Sequence, residues 1–168
     1  PITINGKVGN TTFSNLTINV FILGFNHNAS REGNNRIHFQ IGKIGTTPVA
    51  LCDAQYNSGQ SGNGYFNWNP NNSNNGGWKS CYKRTTLYGN SGTPTSPVSN
   101  SLMAALPSDL RAVMQPVTKY TDNVANGNGN VQGNVNTTTD YLFDLAEFEV
   151  FGTRYYANTY EQNYQLQY

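Results

Sequence analysis

Charge is scarce in this chain. Only 11% of its 168 residues are charged, and ten Lys and Arg against nine Asp and Glu leave a formal net charge of +1. That excludes the basic field on which nucleic-acid and membrane-surface binding depend. Long apolar runs are missing too: none approaches the ~20 residues needed to span a bilayer. Cysteine and histidine occur twice each, which is too few for a disulfide framework. No H-x-x-x-H, C-x-x-C or D-x-D-x-D-G spacing is present, so no metal is expected. A domain of this length buries roughly two thirds of its unfolded surface and needs no such staple. Cys52 and Cys81 therefore read as two reduced, buried thiols in preference to one disulfide.

What the chain has instead is asparagine, at roughly one residue in seven, together with 17 Gly, 11 Tyr and 8 Phe. Asn and Gly tolerate positive φ and mark turns, while Tyr and Phe supply core or contact surface, a combination that indicates ordered loops. Uncharged, tyrosine-bearing loops suit neutral ligands such as glycans or protein surfaces.

The first third alternates apolar and small polar residues. Ile2, Ile4, Val8, Phe13, Leu16, Ile18 and Val20 predict antiparallel strands with turns at "NGKVGN" and "FSN". "NVFILGF" is a continuous apolar run, expected to be a central strand. "RIHFQIGKI" places Ile37, Phe39 and Ile41 on one face and Arg36, His38 and Gln40 on the other, and "PVALCDAQY" reads as a further strand. Residues 1–56 form the β-rich region of this division. Residues 57–168 form the second part, though one continuous domain over 1–168 is the alternative.

From Asn57 to Gly77 the chain is Asn, Gly, Ser and aromatic, a long loop of the kind that carries function. Lys79–Leu87 is expected to form a short helix with Ser80 near its start. Ser99 or Asn100 is expected to cap "SLMAAL", and "PSDLRAVM" places Pro107 at a helix start. "VTKYTDN" reads as a strand, residues 127–139 as a flexible loop, and "YLFDLAEFEVFG" as a strand running into a turn or short helix. The end, "RYYANTYEQNYQLQY", leaves tyrosines expected at the surface, where a partner or a continuing chain would meet them. The start at Pro1 shows no signal peptide and reads as a removed leader or an internal boundary.

Candidate chemistry is thin. His27, His38 and Asp53 could gather if their strands pair, yet the plainer reading has His27 organising its turn and His38 on the surface. Cys81, beside Lys83 and Arg84, has the cations that favour a thiolate but no base, so no catalytic residue is assigned. Asp140, Asp144, Glu147 and Glu149 could supply paired carboxylates, but they also fit a half-exposed strand. The strongest case is for binding: Tyr65, Phe66 and Trp68 can stack on sugar rings while amides such as Asn69 bond hydroxyls.

Several segments in order carry a resemblance: "NVFILGFNHNASREGNNRIHFQIGK", "GGWKSCYKRTT", "LMAALPSDLRAVMQPVTKYTDN" and "YLFDLAEFEVFG". Together they resemble an uncharacterised domain family of gut Firmicutes, their phages and prophages, related to C-type-lectin-like and formylglycine-generating-enzyme-like domains. The resemblance implies an α+β fold. In it an N-terminal antiparallel β region precedes a C-type-lectin-like scaffold with two or three short helices and long loops. It further implies structural roles for Trp78 and Arg84 flanking a short helix, with Cys81 as apolar filler. Relatives continue past Tyr168, so the usual ligand face looks missing or supplied by a second chain.

The expected function is a non-enzymatic binding or display module, without cofactor, that recognises a glycan or protein receptor outside the cell, on a cell surface or on a virion. The alternatives are a virion or surface-assembly subunit docking through its tyrosine-rich edge, and a cysteine- or carboxylate-dependent enzyme.

Overall fold

The computed structural model describes residues 1–44, 46–48, 68–69, 73, 75–123, 130–162 and 164–168. Its strands are β1 (Ile2–Val8), β2 (Thr11–Ile18), β3 (Val20–Phe25), β4 (Ile37–Ile41), β5 (Lys43–Ile44), β6 (Thr47–Pro48), β7 (Val117–Asp122) and β8 (Val135–Asp140). They pair as four antiparallel hairpins, β1–β2, β3–β4, β5–β6 and β7–β8. Short helices α1 (Ala29–Glu32), α2 (Gly77–Ser80), α3 (Leu102–Ala105) and α4 (Ser108–Val113) lie between them, and α5 (Glu147–Phe151) follows β8. The fold is mixed α+β with antiparallel strands at the N-terminus, as expected.

β1 and β2 join through Gly9-Asn10, with Val8 opposite Thr11 and Gly9 at φ +57°; a two-residue loop of this kind matches the twist of the flanking strands. The predicted turn at "FSN" is instead an irregularity inside one long hairpin. The register shifts between Ile4 and Gly6, Asn15 takes φ +50°, and its N–H donates to Asn5 Oδ1. The bulge keeps Ile4 and Val8 inward, where Ile4 meets Ile18 and Leu106, and Val8 meets Trp78, Cys81, Tyr88, Leu102 and Ala105. The N-terminal hairpin and residues 78–106 thus share these clusters.

Several sequence expectations change. β3 pairs only with β4 among the described residues, and Phe21, Ile22 and Phe25 are exposed, so "NVFILGF" is not seen as a central strand. In β4 the expected faces hold only in part: Ile41 packs on the core and Gln40 is exposed, but Ile37 and Phe39 face out and His38 is buried against Glu32 and Tyr168. The strand "PVALCDAQY" lies outside the described residues from Val49 onward, and Cys52 and Asp53 with it.

The expected helix Lys79–Leu87 is two pieces. α2 starts at Gly77 after Gly76, both at positive φ, and stops when Cys81 turns extended at ψ 148°. Lys83–Leu87 then forms a single π turn, the wide turn that accommodates an extra residue. α3 is capped by Ser101, whose hydroxyl accepts the Ala104 N–H, rather than by Ser99 or Asn100. Pro107 stands immediately before α4.

At the far end, residues 127–139 are not all loop: β-branched Val135 and Thr137–Thr139 build β8 against β7. The predicted strand after Asp140 is absent among the described residues. Residues 141–146 run irregularly into α5, which buries Phe148 and Glu149. The tail then straps β7. Tyr164 stacks on Tyr120, Gln165 donates to the Tyr120 carbonyl, and the Tyr168 N–H donates to the Glu149 carbonyl.

Asp140, with no exposed surface, joins these parts. Its Oδ2 accepts from Trp78 Nε1–H at 2.8 Å and from the Thr138 hydroxyl at 2.7 Å, and its Oδ1 accepts from Arg84 Nε at 2.6 Å. Removing one partner of such a buried pair costs about 3–5 kcal/mol, because the remaining charge is left uncompensated. D140A is therefore expected to lower unfolding free energy by that order in urea titrations, whereas T138V, which removes one neutral donor, should cost about 1 kcal/mol.

Candidate functional site

A cleft of about 400 Å3 opens beside this anchor. Gly77 and Trp78 of α2 form one wall, Lys119, Thr121 and Asp122 of β7 another, and Asp144–Glu147 a third, with Trp68, Asn69 and Glu161 completing the lining. Gly77 permits the close approach of α2 to β7. At φ +51°, a Cβ there would lie 2.6 Å from the Asp122 carbonyl oxygen, well inside contact distance.

Of the predicted ligand-binding residues, Trp68 and Asn69 are described and line the cleft, while Tyr65 and Phe66 lie outside the described residues. Trp68 is 44% exposed and meets Trp78 edge-to-face, with ring centres 5.6 Å apart. Its carbonyl accepts the Lys83 N–H. Asn69 works mainly for the chain itself: Oδ1 accepts the Tyr82 N–H and Nδ2 donates to the Ser73 carbonyl. It holds the segment that presents Trp68.

Trp78 is buried, and Trp78 and Arg84 converge on Asp140, a partner that sequence reasoning did not single out for them. Arg84 also donates to the carbonyls of Lys79 and Thr139, so one guanidinium ties α2 to β8. Cys81 is a buried thiol whose sulfur accepts the Arg84 N–H. Burial pushes its pKa upward, outweighing the neighbouring cations. In a C52S background Cys81 is expected to resist thiol reagents at pH 8 until denaturant is added; rapid native labelling would contradict that burial.

The carboxylates meet different fates. Asp144 accepts from Lys83 Nζ at 2.7 Å and from the Tyr88 hydroxyl at 2.5 Å. Glu149 takes Lys119 Nζ on both oxygens and also accepts the Ala146 N–H. Glu147 receives the backbone N–H groups of Tyr155, Tyr156 and Ala157. The Ala157 bond leads the causes that hold its carboxyl below the usual range.

Glu161, missed by the sequence reading, sits in the single 3-10 turn Thr159–Glu161, with its Oε1 accepting the Asp122 N–H at 2.6 Å. Only 7% exposed, it is pushed up to about 7, first by burial and then by the charges of Asp122 and Glu147, against the lowering effect of that hydrogen bond. The signal available in sequence was slight: Asn158, which caps the turn by accepting the Tyr160 N–H, stands three residues before a glutamate.

The histidines are brought together without a metal cluster. Their ring centres are 5.8 Å apart, and no group of three or more His, Cys, Asp or Glu among the described residues could hold an ion. His27 does not merely organise its turn. It stacks on Tyr168 at 3.7 Å and lies 2.8 Å from the Leu166 carbonyl oxygen. His38 lies 2.7 Å from the Tyr168 hydroxyl and 2.9 Å from Glu32 Oε2. The pair docks the tail. Among the described residues, Tyr155 and Tyr156 are the tyrosines left at the surface, 78% and 88% exposed.

No helix among the described residues is long and apolar enough to cross a membrane. Comparison of the chain with protein-family models, with curated proteins and with solved structures yields no match in any of the three.

Because Glu161 has a folded pKa near 7 against about 4.5 when unfolded, the unfolded chain releases this proton first as pH rises. Stability from this group is full below about pH 4.5 and is lost as pH climbs through 7. E161Q, which keeps an acceptor for the Asp122 N–H, is expected to flatten the decline in Tm between pH 5 and pH 8 and to be more stable than the parent at pH 8.

Proposed function

We propose that the protein is a binding module that captures a glycan in the cleft between Trp68 and Glu161. The observation that carries this reading is Trp68: a half-exposed indole fixed edge-to-face on a buried Trp78, beside polar groups at the mouth of a cleft. An aromatic ring held in this way offers a flat apolar face to a sugar ring at little entropic cost, while neighbouring carboxyl and amide groups can bond hydroxyls. A non-catalytic role agrees with a thiol that burial disfavours as a thiolate and with carboxylates engaged by their own lysines. The resemblance to C-type-lectin-like domains of gut bacteria and their phages points the same way, towards a cell-surface receptor and a site of action outside the cell or on a virion.

A second reading, a surface-assembly subunit docking through its C-terminal edge, is favoured by one observation. Tyr155 and Tyr156 stand out from a turn clamped on Glu147, beside exposed Phe151. The two separate by experiment. On a glycan array the protein should bind a defined subset of sugars, and W68A should lower that affinity by about tenfold or more, as loss of a stacking platform implies. Binding unaffected by W68A, with self-association abolished by replacing Tyr155 and Tyr156 with Ser, would favour assembly.

A further inference from the structure

The cleft just assigned to a glycan has a charge bias that narrows its ligand. Among the described residues four carboxyl groups line it, from Asp122, Asp144, Glu147 and Glu161, against one cation, Lys119. That ammonium is already held between the two oxygens of Glu149. An anionic sugar entering here would meet like charge, and the lysine beside it is committed elsewhere.

Glu161 is the distinctive member of this set. More than nine-tenths buried as a residue, it lines the cleft and spends Oε1 on the Asp122 N–H. Its Oε2 is not one of the enclosed atoms that lack a partner and takes no bond from a described residue, so it is open to a donor arriving in the cleft.

The aromatic wall supplies an independent observation. Lys83 Nζ, bonded to Asp144, lies 5.7 Å from the Trp68 ring centre and 5.4 Å from that of Tyr88. The same indole that faces the cleft therefore already contributes to an ammonium site built from π faces and a carboxylate.

We propose that the cleft selects a sugar bearing a protonated primary amine, its ring against Trp68 and its ammonium on the open oxygen of Glu161. This rests on the glycan reading above and adds the charge of the ligand to it. A charge-assisted bond from ammonium to carboxylate is about twice as strong as the bond a neutral hydroxyl makes. Burial keeps Glu161 near 7 in the empty cleft, so at pH 8 it is ionised while an alkylammonium remains protonated.

The test is a charge series at one position. Methyl glycosides of glucose, galactose and mannose are each compared with the 6-amino-6-deoxy sugar and with the uronate, by NMR titration of the labelled protein at pH 8. At least one amino sugar is expected to bind about tenfold tighter than its hydroxyl parent, with the uronate weakest. E161Q should bring the amino sugar down to the level of the parent.

Equal affinity across the series, or preference for the uronate, would overturn the charge assignment while leaving the glycan reading standing. A preference that persists in E161Q would overturn the placement on Glu161. Absence of binding by every sugar would overturn both readings.

Discussion

The fold depends on satisfying one buried charge. Asp140 ends β8 with no access to water, and its two oxygens are shared among Trp78 of α2, Arg84 of the π turn and Thr138 of its own strand. A carboxylate so placed tolerates little movement in any donor, since each is part of its compensation. The consequences spread outward. Trp78, fixed through its indole nitrogen, offers Trp68 an edge to lean on, and Arg84 clamps the end of α2 through the Lys79 carbonyl. The cleft wall is stiff because the charge behind it is paired.

A second layer of pairing works the same way. Lys83 to Asp144 and Lys119 to Glu149 tie the π turn and β7 to the irregular segment and the helix that follow β8. Asn90 adds to this by accepting the Tyr141 N–H and donating to the Leu142 carbonyl. Short helices of four to six residues cannot hold themselves. Here side-chain to backbone bonds and ion pairs replace long regular elements, which is how a chain rich in asparagine and glycine stays ordered over residues 75–123.

Hairpin alternation at the N-terminus was legible in the sequence because period two is written directly in Ile2, Ile4, Leu16 and Ile18. Structural roles for Trp78 and Arg84 beside a short helix were implied by the resemblance, but their shared partner was not legible, since Asp140 lies 56 residues beyond Arg84 and no local pattern announces it. His38 was misassigned because alternation identifies two faces without saying which is inside. In β4 His38 itself goes inward, where Glu32 and Tyr168 supply polar partners. Residues 127–139 looked like loop because Gly and Asn dominate their first half. The threonines that follow are adequate strand formers once β7 gives them an edge. Of the candidate site, Trp68 was legible from its loop, whereas Glu161 was not. Its environment comes from β7 and α5, elements remote in sequence.

A chain with nine acidic residues spends most of those near the cleft on itself, and comparing them locates the exception. Asp140 is answered by arginine and indole, Asp144 by lysine and tyrosine, Glu149 by a bidentate lysine, and Glu147 by three successive backbone N–H groups. Each arrangement ties together the elements that the carboxylate joins. Glu161 is more deeply enclosed than Glu147 and receives one backbone bond, and its pKa rises to about 7 where that of Glu147 falls. Within one small region the same chemical group is driven in opposite directions, upward by burial at Glu161 and downward by the backbone donors aimed at Glu147. Of the carboxyl groups that line the cleft, Glu161 is the one that burial drives upward, and it stands on the same open volume as Trp68. That coincidence, more than the acidity of the rim, sets this place apart from the structural ion pairs around it.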